Sequence, residues 1–76
     1  MQERFRKMRQ GRVAEVWAEV GPLRYKVELY ENGEFIEHQK GRRSRADETE
    51  IHVAGREFAA LVRIQPDGTV RCVWSR

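Results

Sequence analysis

Cysteine, histidine and long apolar runs are scarce in this chain of 76 residues, and each scarcity argues against a class of protein. The single cysteine, Cys72, offers no disulfide framework, which argues against a secreted, cross-linked scaffold and for a reducing, cytoplasmic setting. His38 and His52 have no further ligand at metal-binding spacing, so we expect no zinc site. No apolar run is long enough for a signal peptide or a membrane span, and we expect neither.

Arrangements for catalysis are lacking too. Cys72 lies between Val70 and Trp74 in an alternating pattern, which favours a small core residue over a nucleophile. The glutamates occupy predicted outward positions on strands, and nothing pairs two of them as acid and base. The glycines occur one at a time, where turns are needed, so no phosphate-binding glycine loop is indicated. We therefore expect a protein that is not an enzyme, needs no cofactor or metal, and acts by binding a partner.

Positive charge is plentiful and is concentrated in two short segments. Residues 1–12 contain five basic residues against one acid, and residues 40–45 contain four and no acid, so the rest of the chain is net acidic. Twelve of the fifteen basic residues are arginine, whose planar guanidinium binds phosphates through two parallel donors and stacks on bases. The pattern favours an anionic partner that approaches from one side, nucleic acid in particular. The alternative is that these segments are simply solvated basic ends.

Period-two alternation of apolar residues predicts an all-β domain over residues 11–76. Turn residues separate the runs at Gly21-Pro22, at Glu31-Asn32-Gly33, which predicts a hairpin, and at Pro66-Asp67-Gly68. The predicted strands cover residues 12–20, 23–30, 34–38, 51–54, 58–64 and 70–74. Five or six short strands in so small a domain predict a five-stranded OB-like barrel, since closure removes exposed strand edges.

Two segments allow more than one interpretation. Residues 1–10 carry apolar Phe5 and Met8 among charges and could form one frayed helical turn, but a basic N-terminal arm is favoured. Residues 41–49 predict a long basic loop or a short helix between the third and fourth strands. Residues 45–64 could also form a single helix, although the central Gly55 and the β-branched residues around it favour strands.

Aromatic residues divide into a predicted core set and a predicted surface set. Phe35, Phe58 and Trp74 are assigned to the core. Trp17 lies opposite the small apolar face of its strand, and Tyr30 shares an outward strand face with Arg24 and Lys26. Aromatic rings interleaved with basic side chains suit stacking on single-stranded or looped RNA. Trp17 and Tyr30 therefore either contact bases or a partner, or cover the ends of a thin barrel.

The order of several short motifs resembles a known family. Gln10-Gly11-Arg12-Val13 opens the first predicted strand, and Val27-Glu28-Leu29 with Glu31-Asn32-Gly33 closes the second. His38 precedes Gly41-Arg42-Arg43, and the chain ends in Val73-Trp74-Ser75-Arg76. Over residues 10–76 this resembles bacterial translation initiation factor 1, a single S1-type OB-fold domain. Four departures from the family pattern indicate a divergent member: a longer connection between the first two strands, a longer basic loop that contains acids, a shorter last hairpin and a basic N-terminus.

The resemblance implies that the basic loop contacts ribosomal RNA and that the second strand and His38 lie on or near the RNA-facing surface. Combined with the charge pattern, the predicted RNA-binding residues are Arg24, Tyr25, Lys26, His38, Lys40, Gly41, Arg42, Arg43 and Arg45. The resulting hypothesis is a cytoplasmic RNA-binding protein whose partner is the small ribosomal subunit or another structured RNA. The alternative hypothesis is a small phage- or plasmid-type interaction module that inhibits or modulates a host protein.

Overall fold

The computed structural model describes all 76 residues and contains strands and turns but no helix. The seven strands are β1 (Gln2–Arg9), β2 (Arg12–Val20), β3 (Arg24–Glu31), β4 (Glu34–Arg42), β5 (Thr49–Ala54), β6 (Ala59–Ile64) and β7 (Val70–Trp74). The prediction of an all-β protein is confirmed, and residues 45–64 form strands rather than one helix. No helix that could cross a membrane is present.

Consecutive antiparallel strands form two sheets, one of β1-β2-β3-β4 and one of β5-β6-β7. The predicted hairpin turn at Asn32-Gly33 is confirmed, with φ of 51° and 81°. Gln10-Gly11 makes a second turn of the same kind, with φ of 52° and 76°. Two-residue turns with positive φ at both positions match the natural twist of antiparallel strands, and glycine adopts that conformation without strain. The turn at Gln10 was missed from the sequence.

The first ten residues are not a free arm. β1 pairs with β2 along its whole length, from Gln2 opposite Glu19 to Arg9 opposite Arg12. Phe5 lies opposite Val16 and packs against the core, which gives the strand an apolar anchor. The charged residues around Phe5 suit an edge strand, because charge on an edge discourages pairing with other molecules.

The strand count and the closure differ from the predicted five-stranded barrel. No backbone ladder joins the two sheets, although β5 lies against β3 and β4, and β7 approaches β1. β4 continues through Arg42 because Tyr25 and Gly41 remain paired, so the predicted long basic loop shrinks to residues 43–48. That loop contains no helical turn.

Thirteen buried apolar side chains from the facing sides of both sheets form one core. Alternate residues of β2, β3, β5 and β6 point inward, and Phe58, just before β6, is fully buried at the centre. The core consists of Ala14, Val16, Ala18, Val20, Val27, Leu29, Ile51, Val53, Phe58, Ala60, Val62, Ile64 and Val70. Trp74 and Cys72 are half-buried and pack against it, and the rings of Trp74 and Phe58 meet edge to face at 6.2 Å.

The prediction that Phe35 belongs to the core is wrong. The register of β3 and β4 shifts at Leu29 and Tyr30, so that Tyr30 lies opposite Phe35 while Leu29 lies opposite Glu37. The extra residue, Ile36, turns toward the core, and Phe35 remains 46% exposed on the other face. A bulge of this kind reverses which side chains face inward.

Glu31 is the one buried charged residue, with 6% of its surface exposed, and it connects the two sheets. Its carboxylate accepts hydrogen bonds from the backbone N–H groups of Arg56, Glu57 and Phe58 at 3.1, 3.0 and 2.9 Å. Gly55 leaves room for this carboxylate, which a Cβ at that position would overlap. Burial alone would raise the pKa of Glu31, but the three N–H donors and the charge of Arg56 outweigh it and lower the pKa below its usual value.

Glu37 makes a second link between the sheets. It was expected to face solvent, but its carboxylate accepts a hydrogen bond from the backbone N–H of Ala54 at 2.8 Å. The edges of β4 and β5 are therefore joined by a side chain rather than by a backbone ladder.

Candidate nucleic-acid interface

The sheet of β1 to β4 has a face that points away from the core, which we call the outer face. Strand register arranges its side chains in rows that run across all four strands. One row consists of Arg4, Trp17, Glu28 and His38, and the next consists of Arg6, Glu15, Tyr30 and Phe35. The rows toward the end of β4 consist of Gln2, Glu19, Lys26 and Lys40, and then of Arg24 and Arg42.

Four rings, the aromatic cluster, lie side by side at the centre of the outer face: Trp17, Tyr30, Phe35 and His38. The ring centroids of Trp17 and Tyr30 are 4.6 Å apart, those of Tyr30 and Phe35 5.7 Å, and those of Phe35 and His38 5.9 Å. The Arg4 guanidinium lies 4.2 Å from the centroid of the Trp17 ring. Rings in contact with each other and with solvent form a surface that a flat, apolar ligand can cover.

Four cations, the basic end, lie beside the aromatic cluster: Arg24 and Lys26 of β3, and Lys40 and Arg42 of β4. Lys26 lies directly opposite Lys40, and Arg24 directly opposite Arg42. Like charges in such cross-strand positions destabilise a sheet by roughly 0.2–1 kcal/mol a pair. Lys26 has one acidic partner, Glu28, at 3.8 Å, and the other three cations form no ion pair. This uncompensated charge favours an anionic ligand.

The outer face brings together most of the predicted binding residues. Arg24, Lys26, His38, Lys40 and Arg42 all lie on it, together with the two predicted stacking residues, Trp17 and Tyr30. Both of these rings are half-buried on the sheet face.

Four of the predicted residues lie elsewhere. Tyr25 points toward the core, and its hydroxyl lies 2.7 Å from where a Cβ of Gly41 would stand, so these two residues pack against each other. The Arg43 guanidinium makes structural hydrogen bonds: it donates to the backbone oxygens of Gly21 at 3.1 Å, Gln65 at 3.1 Å and Pro66 at 2.8 Å. Arg45 is exposed in the 43–48 loop.

Three residues of the outer face were missed from the sequence: Arg4, Arg6 and Phe35. Arg4 and Arg6 occupy alternate positions, and both become outward residues once Gln10-Gly11 is identified as a hairpin turn. The Gln10-Gly11 turn was therefore the sequence signal that could have placed Arg4 and Arg6 on the outer face. For Phe35 the signal was the predicted Asn32-Gly33 turn, which places Phe35 directly opposite the outward-facing Tyr30.

The groups that could act chemically are few. Burial raises the pKa of the Cys72 thiol to about 11, so the thiol is protonated at neutral pH and is a poor nucleophile. No group of three or more histidine, cysteine, aspartate or glutamate side chains is placed to hold a metal ion.

Comparison with protein-family models, with characterised proteins and with solved structures gave no significant match to this chain.

Proposed function

We propose that the protein binds single-stranded RNA through the outer face, without catalysing a reaction. The observation that carries the proposal is the position of the aromatic cluster. The basic end flanks it along β3 and β4, and Arg4 and Arg6 flank it on β1. Bases stack on the rings, while phosphates are contacted by the flanking cations.

The dimensions of the aromatic cluster suit a short single strand. Neighbouring ring centroids are separated by 4.6 to 5.9 Å, which gives room for about two or three unstacked bases. The bases of a duplex are stacked on one another and cannot be placed flat on a sheet. We therefore expect a duplex of the same sequence to bind through its phosphates alone, and more weakly.

The charge of the outer face gives the proposal its salt dependence. Six basic residues face outward against three glutamates, Glu15, Glu19 and Glu28. If about three or four phosphates are neutralised, the logarithm of the affinity falls with the logarithm of the salt concentration with a slope of about −2 to −3.

The choice of RNA over DNA rests on the resemblance to bacterial translation initiation factor 1. Membership of the S1-type OB family, a ribosomal target and a cytoplasmic location are parts of the same proposal. A short RNA compared with a DNA of the same sequence tests that choice directly, because only RNA offers the 2′-hydroxyl.

A fluorescence-anisotropy titration with a labelled oligonucleotide tests the binding surface. Phe35→Ala removes an exposed ring at little expected cost to the fold, and it should weaken binding about tenfold, since stacking contributes about 1–3 kcal/mol per base. Arg42→Gln should flatten the salt slope by about one unit. Arg71→Gln is the matched control, because Arg71 is also an exposed arginine on a strand, but of the other sheet.

Equal losses in Arg42→Gln and Arg71→Gln would show that only net charge matters and would refute the assigned surface. An affinity that does not change between low and moderate salt would refute nucleic-acid binding itself. Two pull-downs test the alternative of an interaction module. It is favoured if a protein partner is retained from nuclease-treated lysate and no RNA is recovered from untreated lysate.

A further inference from the structure

The opposite end of the molecule holds a second set of cations, in a cleft that the outer face does not include. The side chains that line this cleft are all polar: Arg9, Gln10, Arg12, Arg56, Glu57 and Arg76. We call it the arginine cleft. It lies where the β1–β2 turn meets the connection between β5 and β6, and its space measures about 450 Å³. Four guanidinium groups thus share one open cleft with a single side-chain carboxylate, that of Glu57.

Most of the donors in the arginine cleft remain free. Arg12 forms an ion pair with Glu57. Arg9 donates to the backbone oxygen of Glu57 at 2.7 Å, and Arg76 donates to that of Gly55 at 3.1 Å, so neither is paired with an acid. Each guanidinium has five N–H donors, and these contacts use only one of them in each arginine.

Arg56 is held only loosely by its acidic partner. Its guanidinium lies 3.7 Å from the Glu34 carboxylate, and the two side chains are 77% and 61% exposed. An ion pair at such exposure contributes little, so Arg56 can turn to another anion at small cost.

The backbone beneath the arginine cleft is fixed. Arg9 and Arg12 lie directly opposite each other beside the Gln10-Gly11 turn, which places two like charges side by side. On the other wall, the Glu31 carboxylate holds the N–H groups of residues 56–58. The Arg9 guanidinium also lies 4.6 Å from the centroid of the buried Phe58 ring, which limits its motion. The backbone that carries these cations is therefore fixed before any ligand arrives.

We propose that the arginine cleft binds a phosphate group. The polar lining suits a small anion rather than an apolar ligand, and several guanidiniums around one cleft match an anion that presents three or more oxygens. The phosphate belongs either to a small phosphorylated molecule or to a nucleic-acid backbone, and the same chemistry recognises both. The inference does not depend on RNA binding at the outer face, since the two surfaces share no residue.

Residue-resolved NMR titration of the whole protein tests the proposal with sodium phosphate as the probe and sodium acetate at the same ionic strength as its comparison. Millimolar phosphate should shift the backbone amides of residues 10–12 and 55–57, and acetate should shift them much less. Uridine 5′-monophosphate and a dinucleotide with one phosphodiester then identify the source, because the monoester carries about twice the charge of the diester. Tighter binding of the monoester points to small molecules, and tighter binding of the dinucleotide points to a strand.

The double variant Arg56→Gln/Arg76→Gln should weaken phosphate binding about tenfold, from the loss of two exposed charge contacts. The control, Arg45→Gln/Arg71→Gln, removes the same charge from exposed arginines at the other end of the molecule and should change binding less than about twofold. Equal weakening in both doubles, shifts as large with acetate as with phosphate, or no localised shifts in the unmodified protein would each overturn the proposal. The shift map of the unmodified protein keeps the test valid even if a variant folds poorly.

Discussion

Replacing Glu31 tests the physical account of how the two sheets are held together. In Glu31→Ala three backbone N–H groups lose their acceptor. The Phe58 N–H is fully buried, and leaving it unpaired costs about 2 kcal/mol, while the N–H groups of Arg56 and Glu57 recover part of their loss by binding water. We expect a total loss of about 3 kcal/mol, or roughly 15 °C in Tm for a domain of this size.

Glu31→Gln separates the shape of the side chain from its charge. Oε2 accepts from both Glu57 and Phe58, and Oε1 accepts from Arg56 alone. A glutamine amide oxygen in the Oε2 position keeps two of the three bonds, so we expect a smaller loss of about 1.5 kcal/mol.

The difference in the free energy of unfolding between the unmodified protein and Glu31→Gln should depend on pH. Because the folded-state pKa of Glu31 is lowered, its stabilisation is fully present above the unfolded pKa of about 4.3 and is lost as the pH falls through the folded value. This difference in unfolding free energy should therefore be smaller at about pH 3 than at about pH 7. Some acid sensitivity remains in both proteins, since the Thr69 N–H also lowers the pKa of Asp67.

Urea unfolding followed by tryptophan fluorescence measures these free energies at each pH. Two results would refute the reasoning. One is a loss below about 1 kcal/mol in Glu31→Ala, which would mean that the three N–H groups do not depend on the carboxylate. The other is a gap between the unmodified protein and Glu31→Gln that stays constant as the pH falls, which would mean that charge plays no part.

Three further predictions concern neighbouring features. Gly55→Ala should destabilise the fold by about 2 kcal/mol in the same urea assay, because its Cβ would displace the hydrogen-bonded Glu31 carboxylate; an unchanged midpoint would contradict this. Lys40→Glu should stabilise the fold by about 0.5 kcal/mol, by removing the repulsion with Lys26, and should weaken RNA binding; a loss of stability would show that the two charges do not repel. Arg43→Ala should cost about 1.5 kcal/mol of stability and leave RNA affinity within about twofold; a tenfold loss of affinity in a folded protein would return Arg43 to the binding surface.

The parts of the fold that sequence predicts well are those with local signals. Alternation from Ala14 to Val20 gave the buried face of β2, and Asn32-Gly33 gave the hairpin between β3 and β4. The all-β class followed from the same period-two pattern. β1 was missed because its inward positions after Phe5 are Lys7 and Arg9, so its alternation is hidden by charge.

The candidate site was predicted in part, and the errors have separate causes. Lys26 meets Lys40, and Arg24 meets Arg42, because the bulge shifts the register of β3 and β4 by one residue. The Asn32-Gly33 turn alone would place Lys26 opposite Gln39, so this part of the site does not follow from the turn. Alternation places Tyr25 inward, and only the family resemblance had assigned it to the surface. The partners of Arg43 lie more than twenty residues away along the chain, in loops whose approach to each other depends on the packing of the two sheets.

Every strand pair in this protein joins neighbours along the chain, and the 43–48 loop is the only covalent link between the two sheets. A cut between Ala46 and Asp47 would therefore leave both hydrogen-bonded ladders whole, one in each fragment. The fragments would have to recover their apolar contacts and the side-chain contacts that cross between the sheets, such as those of Glu31, Glu37, Arg43, Arg9 and Arg12. The two halves should then reassemble on mixing. Hydrogen exchange would detect this, because the Phe58 amide should regain its protection. The protein would thus serve as a two-part reporter whose halves associate through an apolar core and a few defined side-chain hydrogen bonds.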